Sequence, residues 1–278
     1  MKHTHFIFII LLLCFSCNSQ PGRTEKLQTD IKATAVSQKN ITGFDAATKT
    51  IHVIVALCDN KYQGIVPVPA KIGNGQDPNN NLYWGCANGI RSFFKASKVW
   101  KLIKTQKTDS IRLERLVFKH VSKNYYLVAD AYDGKYIRKA TTDFLYSCSR
   151  QLKDTLRINN VTIGLNGNAK LLSYIGHDGL MDFRLTESFE NTDGQKRDCI
   201  ILVCISKKYF GYHLKQTNAN PLVWTTGLMC PEAYTLHDAI SGFVNNESDE
   251  DIRSKAALAY AKYQKCGVKA ARNLLVTG

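Results

Sequence analysis

Two residues with nucleophilic and proton-transfer chemistry sit at the ends of short apolar runs. His177 follows the run 171–176 (LLSYIG), and Cys204 closes the run 199–204 (CIILVC). A free thiol is mostly protonated near neutral pH, and its thiolate is the nucleophile. A nearby imidazole either stabilises that thiolate or takes the proton as attack begins. The tetrahedral intermediate of acyl transfer also needs N–H donors. Gly179, two residues after His177, leaves a main-chain amide accessible for that purpose. This chemistry predicts fast alkylation of Cys204 even below the usual thiol range. A competing pair is Cys230 with His213 or His237, but no strand places either histidine. His52, inside an apolar run, reads as structural, and His120, in a hairpin arm, reads as exposed.

The elements that must hold this pair follow from hydrophobic patterning. Residues 51–58 (IHVIVALC) are almost continuously apolar and end at Asp59-Asn60, a turn signal. Such runs, apolar on both faces, mark central strands of a parallel sheet. Residues 171–176, 199–204 and 221–227 continue the series. Residues 114–130 read as a hairpin turning at Ser122-Lys123-Asn124. Helical spacing covers 82–100, 135–151, 231–244 and 249–265; Pro231 and Glu232 suit a helix start. A proline- and asparagine-rich loop spans 63–81. Strands alternating with helices predict an α/β fold: a doubly wound, mostly parallel sheet with helices on both faces. In such sheets reacting groups gather beyond the carboxyl ends of the strands, so His177 and Cys204 share one edge if their strands are neighbours. The segment between them is polar and weakly helical, which leaves the form of the crossover open.

An apolar strand with His and Gly, followed by an apolar strand with Cys, resembles the caspase-like cysteine peptidases. That superfamily includes caspases, metacaspases, gingipains, clostripain and CHAT-domain proteins. SYIGHDG and ILVCIS carry the resemblance. It implies a caspase-like fold for residues 50–278 and peptide or protein substrates. It implies His177 as the proton-transfer residue, Cys204 as the nucleophile, and Gly179 with the Cys204 backbone as oxyanion donors. Ser206 matches the small residue after the family's cysteine. Asp59, Asp178 and Asp182 would offer acid to a basic substrate side chain, as in gingipain-like enzymes; a turn or cap is the competing role for Asp59 and Asp182. Three departures stand out. Asp178 interrupts the family's His-Gly, Val203 replaces its Ala, and the spacing between His177 and Cys204 is short. The alternative they raise is an inactive domain of the same fold that binds an envelope protein or glycan.

The N-terminus speaks to location. A polar start, an apolar stretch at 6–13 and a small residue before a cysteine (Ser16-Cys17) resemble a bacterial lipoprotein signal. Residues 1–16 are then a signal peptide, Cys17 the lipidated residue, and 17–49 a polar tether. Cys14 is the runner-up. The resulting expectation is a lipid-anchored, periplasm-facing envelope protein. Removing Cys14 and Cys17 from nine cysteines leaves seven, an odd number, so in an oxidising compartment one thiol stays free. No Cys-x-x-Cys spacing suggests zinc, and Gly73 and Gly75 precede no phosphate-loop Lys-Ser/Thr. Neither metal nor cofactor is expected. The chain carries 37 basic and 23 acidic residues, net +14. The lysines are spread throughout with no Arg-rich run or nucleic-acid motif, so nucleic acid is not an expected partner.

Overall fold

The computed structural model describes residues 43–45 and 47–278. The expected signal peptide, Cys17 and most of the tether lie outside the described residues. The folded unit starts slightly before residue 50: the Asp45 amide already donates to the Thr162 carbonyl.

The apolar run after Lys49 forms β1 (Lys49–Ala56), the centre of the sheet. It is flanked in parallel by β4 (Tyr125–Tyr132) and β7 (Leu171–Gly176). Beyond β7 come β8 (Arg197–Leu202) and β9 (Ala219–Thr225), both parallel. Antiparallel strands close the two edges: β3 (Arg112–His120) and β2 (Trp100–Gln106) beside β4, and β10 (Leu275–Val276) beside β9. Among the described residues the order is β10-β9-β8-β7-β1-β4-β3-β2. A separate hairpin, β5 (Lys153–Ile158) and β6 (Val161–Asn166), lies outside this sheet.

Alternate residues of β1 face opposite layers, which is why the run is apolar throughout. Ile51, Val53 and Val55 pack with α1 (Ile90–Lys95), α4 (Ala233–Val244), α5 (Asp249–Gln264) and α6 (Val268–Leu274). Ile54 and Ala56 pack with α2 (Ile137–Cys148) and α3 (Ser206–Thr217). The sheet is therefore doubly wound, as the sequence predicts. No helix among the described residues is long and apolar enough to cross a membrane.

Local departures have local causes. The helix expected over 82–100 is confined to Ile90–Lys95. Upstream, Gly85 is pressed so closely on the Asn79 carbonyl that a Cβ would lie 2.0 Å from its oxygen. The chain there is a series of tight turns. The buried Asn81 side chain organises them: it accepts from the amides of Cys58 and Tyr83 and donates to the carbonyls of Cys58 and Asn74. The crossover from β7 to β8 has no α-helix. It is pinned by Phe189, fully buried against Tyr146 and His213. The helix α3, directly after Cys204, and the β5–β6 hairpin are not signalled by the hydrophobic patterning.

One polar group is buried in the middle of the sheet. Arg115 on β3 donates from Nε and a terminal nitrogen to the Asp130 carboxylate of β4, both at 2.6 Å. His52 Nε2 lies 3.0 Å from the same carboxylate, and His52 Nδ1 accepts the Asn166 amide at 3.1 Å. An imidazole nitrogen that accepts an N–H carries no proton, so His52 is the neutral Nε2–H tautomer donating to Asp130. The group joins three sheet strands to β6 of the hairpin.

Candidate functional site

β7 and β8 are parallel neighbours, and their last registered pair is Ile175 with Leu202. His177 and Cys204 each lie two residues further on, so both leave the sheet at its carboxyl edge on adjacent strands. This is the placement expected from the two apolar runs.

Cys204 sits on a strained turn. Ile205, the next residue, has φ 51° and ψ 32° and forms the N-cap of α3. A β-branched residue in the left-handed region is a steric outlier costing on the order of 1–2 kcal/mol. The Ile205 amide is held by the Gly227 carbonyl at 2.8 Å. The chain thus passes from β8 into α3 across three residues, Val203 to Ile205, with the Cys204 side chain half-buried at the bend. Strain of this kind persists where surrounding structure over-determines it, and it clusters at active sites.

The sulfur of Cys204 rests on Met229, in the loop after β9. The Met229 amide donates to Sγ at 3.4 Å, and the thiol faces the Met229 carbonyl at 3.6 Å. Burial pushes the thiol pKa up, the Met229 hydrogen bond opposes this, and the charge of Asp178 adds to the rise. Burial therefore favours the thiol form of Cys204, the case in which an imidazole takes the proton as attack begins.

His177 is nearly buried, and its Nε2 meets Asp182 Oδ2 at 2.7 Å. The Gly64 amide donates to that same oxygen at 3.1 Å. A Cβ on Gly64 would lie 2.5 Å from the other Asp182 oxygen, so glycine permits this approach of the long loop after β1. Asp182 fixes the imidazole and leaves Nδ1 for proton exchange. His177 and Cys204 are not hydrogen-bonded to each other here; catalytic hydrogen bonds commonly tighten only with substrate.

The remaining expected site residues are put to other uses. Asp178 is fully buried rather than presented to a ligand. One carboxylate oxygen caps the Leu180 amide at 2.9 Å, and the other has no hydrogen-bond partner. Burial, aided by the Asp182 charge and opposed by the Leu180 amide, pushes its pKa up to about 7. Asp59 is also buried. It accepts from the amides of Lys61 and Tyr62 and from Gln76 Nε2, which also bonds Asp133, so it is a turn residue. Ser206 is fully buried and ties β8 to β9: its hydroxyl donates to the Ile201 carbonyl and accepts from the Thr225 amide at 2.8 Å. These three are not available to bind a substrate side chain, because each is enclosed and engaged by its own fold. Gly179 opens a 3-10 turn (Gly179–Met181), and a Cβ there would strike Phe183 and Thr141, so packing already accounts for it.

Sequence reasoning missed Met229, which no motif marks. It placed Asp182 as a cap or a substrate acid, with nothing in the spacing to pair it with His177. Of the competing pairing, Cys230 with His213 or His237, each member has its own engagement: His237 bonds Ser97 and Asp238, His213 packs against Phe189, and the Cys230 amide bonds Tyr260. Among the described residues no three His, Cys, Asp or Glu side chains converge as metal ligands. Comparison with known family models, curated proteins and solved structures finds no match to this chain.

Proposed function

We propose that this chain is an envelope-anchored, caspase-like cysteine peptidase in which Cys204 and His177 form the catalytic pair. The observation that carries the reading is the strained Cys204-Ile205 turn at the end of β8, beside the strand that delivers His177. In this mechanism His177 Nδ1 takes the Cys204 proton as the sulfur attacks the peptide carbonyl. The tetrahedral oxyanion collapses to a thioester, and His177 returns the proton to the departing amine. A water deprotonated by His177 then releases the acid product. Asp182 keeps the proton on Nε2 and so preserves Nδ1 as the base. The raised thiol pKa means proton transfer accompanies attack rather than preceding it. Supporting the caspase-like kinship are the successive parallel strands carrying His and Cys and the two-faced helical packing. Peptide or protein is the substrate class, and no residue of the site specifies a side chain.

The test is cleavage of a mixed peptide library by the full folded domain. Wild type should cleave, and Cys204→Ala and His177→Ala should not, while their circular dichroism and melting stay unchanged. Equal cleavage by a well-folded Cys204→Ala protein would overturn the assignment. The second reading, an inactive domain binding an envelope partner, draws on the resting thiol and on a His177 already engaged by Asp182. It predicts no cleavage by any of the three proteins.

The anchor belongs to the same proposal and rests on Ser16-Cys17 after the apolar stretch. In bacterial cells fed an alkyne fatty acid, the full chain should become labelled and Cys17→Ser should not. Undiminished labelling of Cys17→Ser would remove Cys17 as the anchor.

A further inference from the structure

Cys204 has a second thiol close by that the proposed reaction does not use. Its sulfur contacts both polar atoms of Met229, and Cys230 follows directly. The Met229 carbonyl oxygen and the Cys230 Cα share one peptide unit and lie within about 3 Å of each other. With the sulfur 3.6 Å from that oxygen, the Cys230 Cα is within about 7 Å of Cys204 Sγ. The thiols also lie near enough for the charge of each to act on the ionisation of its surroundings: Cys204 raises the pKa of Cys230, and both raise that of Tyr83.

The two cysteines differ in freedom. Cys204 is fixed at the bend into α3. Cys230 is exposed, in a loop whose neighbour Leu228 is 71 % exposed. The loop is seated over Cys204 by the two Met229 contacts with the sulfur, by the Gly227 carbonyl that accepts the Ile205 amide at 2.8 Å and by the buried Met229 side chain; the Cys230 amide is held by the Tyr260 hydroxyl at 3.2 Å, and its carbonyl accepts the Glu232 amide at 2.9 Å. Cys58, another neighbour of Tyr83, lacks such freedom. It is fully buried, and Asn81 holds both its amide and its carbonyl. Cys148 and Cys199 are fully buried in the other layer.

We propose that Cys204 and Cys230 form a reversible disulfide that blocks the site. The bond needs the two Cα atoms about 4.4–6.8 Å apart, a separation the Met229-Cys230 segment must supply. The oxidant is a small-molecule disulfide. One protein thiolate attacks it and expels one small thiol, and the second protein thiolate then displaces the other. The net change is two protein thiols plus one R–S–S–R giving one protein disulfide plus two R–SH. The protein sulfurs are oxidised by two electrons and the reagent is reduced. In the disulfide the Cys204 sulfur has no proton to give and no lone thiolate to attack with. This blocking role rests on the catalytic reading above; the bond itself does not.

The experiment treats the folded protein with hydroxyethyl disulfide and maps cysteine links by mass spectrometry without reduction. A peptide pair joined through Cys204 and Cys230 is expected. Alkylation of Cys204 by iodoacetamide should fall at least about tenfold and return on addition of dithiothreitol. Cys230→Ser should keep its cleavage rate and lose the oxidative block; Cys58→Ser should still form the link. A mixed disulfide on Cys230 with Cys204 still open to alkylation would overturn the proposal. A Cys230–Cys266 or Cys58–Cys204 link would do the same. If the Cys204–Cys230 link forms but reduced wild type cleaves nothing, the peptidase reading fails and the disulfide stands. If reduced wild type cleaves but no such link forms, the disulfide fails and the peptidase reading stands.

Discussion

Replacing Asp130 with Ala is expected to lower the unfolding free energy by about 3–5 kcal/mol, the usual cost of removing one partner from a buried ion pair. Burial alone would raise the Asp130 pKa. The Arg115 and His52 hydrogen bonds overcome this and hold the carboxyl well below the ordinary range, so it is ionised throughout the useful pH span. The alanine variant strands the Arg115 guanidinium, whose side chain is 7 % exposed, with no counter-charge. It also deprives His52 of its acceptor, and the His52–Asn166 contact that seats the hairpin loses its fixed geometry. Urea unfolding at pH 7 measures the loss. Replacing Arg115 with Met together with Asp130→Leu should recover much of it, because an apolar pair of similar volume removes the unpaired charge. If Asp130→Ala costs less than about 1 kcal/mol, Arg115, His52 and Asp130 do not act as one electrostatic unit.

The second large effect belongs to Asp178 and depends on pH. Its carboxyl has an ordinary value of 3.8 and is pushed up to about 7 in the fold. Between those values the folded state holds a proton that the unfolded chain has lost. Asp178 therefore contributes stability that is complete below pH 4 and disappears as pH rises through about 7. From pH 5 to pH 8 wild type should lose on the order of 3 kcal/mol through this one group. Asp178→Asn should not show that loss. The Asn oxygen can still cap Leu180, while its NH2 enters the space of the unpartnered oxygen at some cost. Comparing each protein with itself at the two pH values cancels that cost. Parallel stability curves for the two proteins would refute the buried-acid assignment. The same substitution removes a charge that raises the Cys204 pKa, so alkylation of Cys204 at pH 8 should be faster in Asp178→Asn.

The pH dependence bears on the proposed chemistry. An ionised Asp178 opposes formation of the Cys204 thiolate, and it ionises near neutrality. The site is thus held toward the thiol form above pH 7. This is compatible with base-assisted attack and unfavourable to a stored thiolate–imidazolium pair. It also explains why the acid that interrupts His177 and Gly179 has a role unlike that of a substrate contact. It sits behind the site, unsolvated, and acts through its charge.

Hydrophobic patterning alone specifies the layered fold and the edge on which chemistry collects. A strand buried on both faces is apolar at most positions, so β1, β7, β8 and β9 announce themselves as nearly continuous runs, and parallel strands require both faces covered. The residue after each run then falls at the carboxyl edge by backbone geometry alone, which is how His177 and Cys204 were legible. How those residues are engaged depends on packing between distant loops. Asp182 bonding His177, Met229 touching Cys204 and Asn81 fixing Cys58 are contacts between loops, and a loop side chain has no periodicity to betray its direction. Burial of Asp178, Asp59 and Ser206 was hidden for the same reason: polar residues near strand ends look like surface until packing encloses them. The left-handed turn at Ile205 is the extreme case. Local preference argues against it, and the Gly227 carbonyl, the Ser206 bonds to Ile201 and Thr225 and the packing of α3 against the sheet hold it in place.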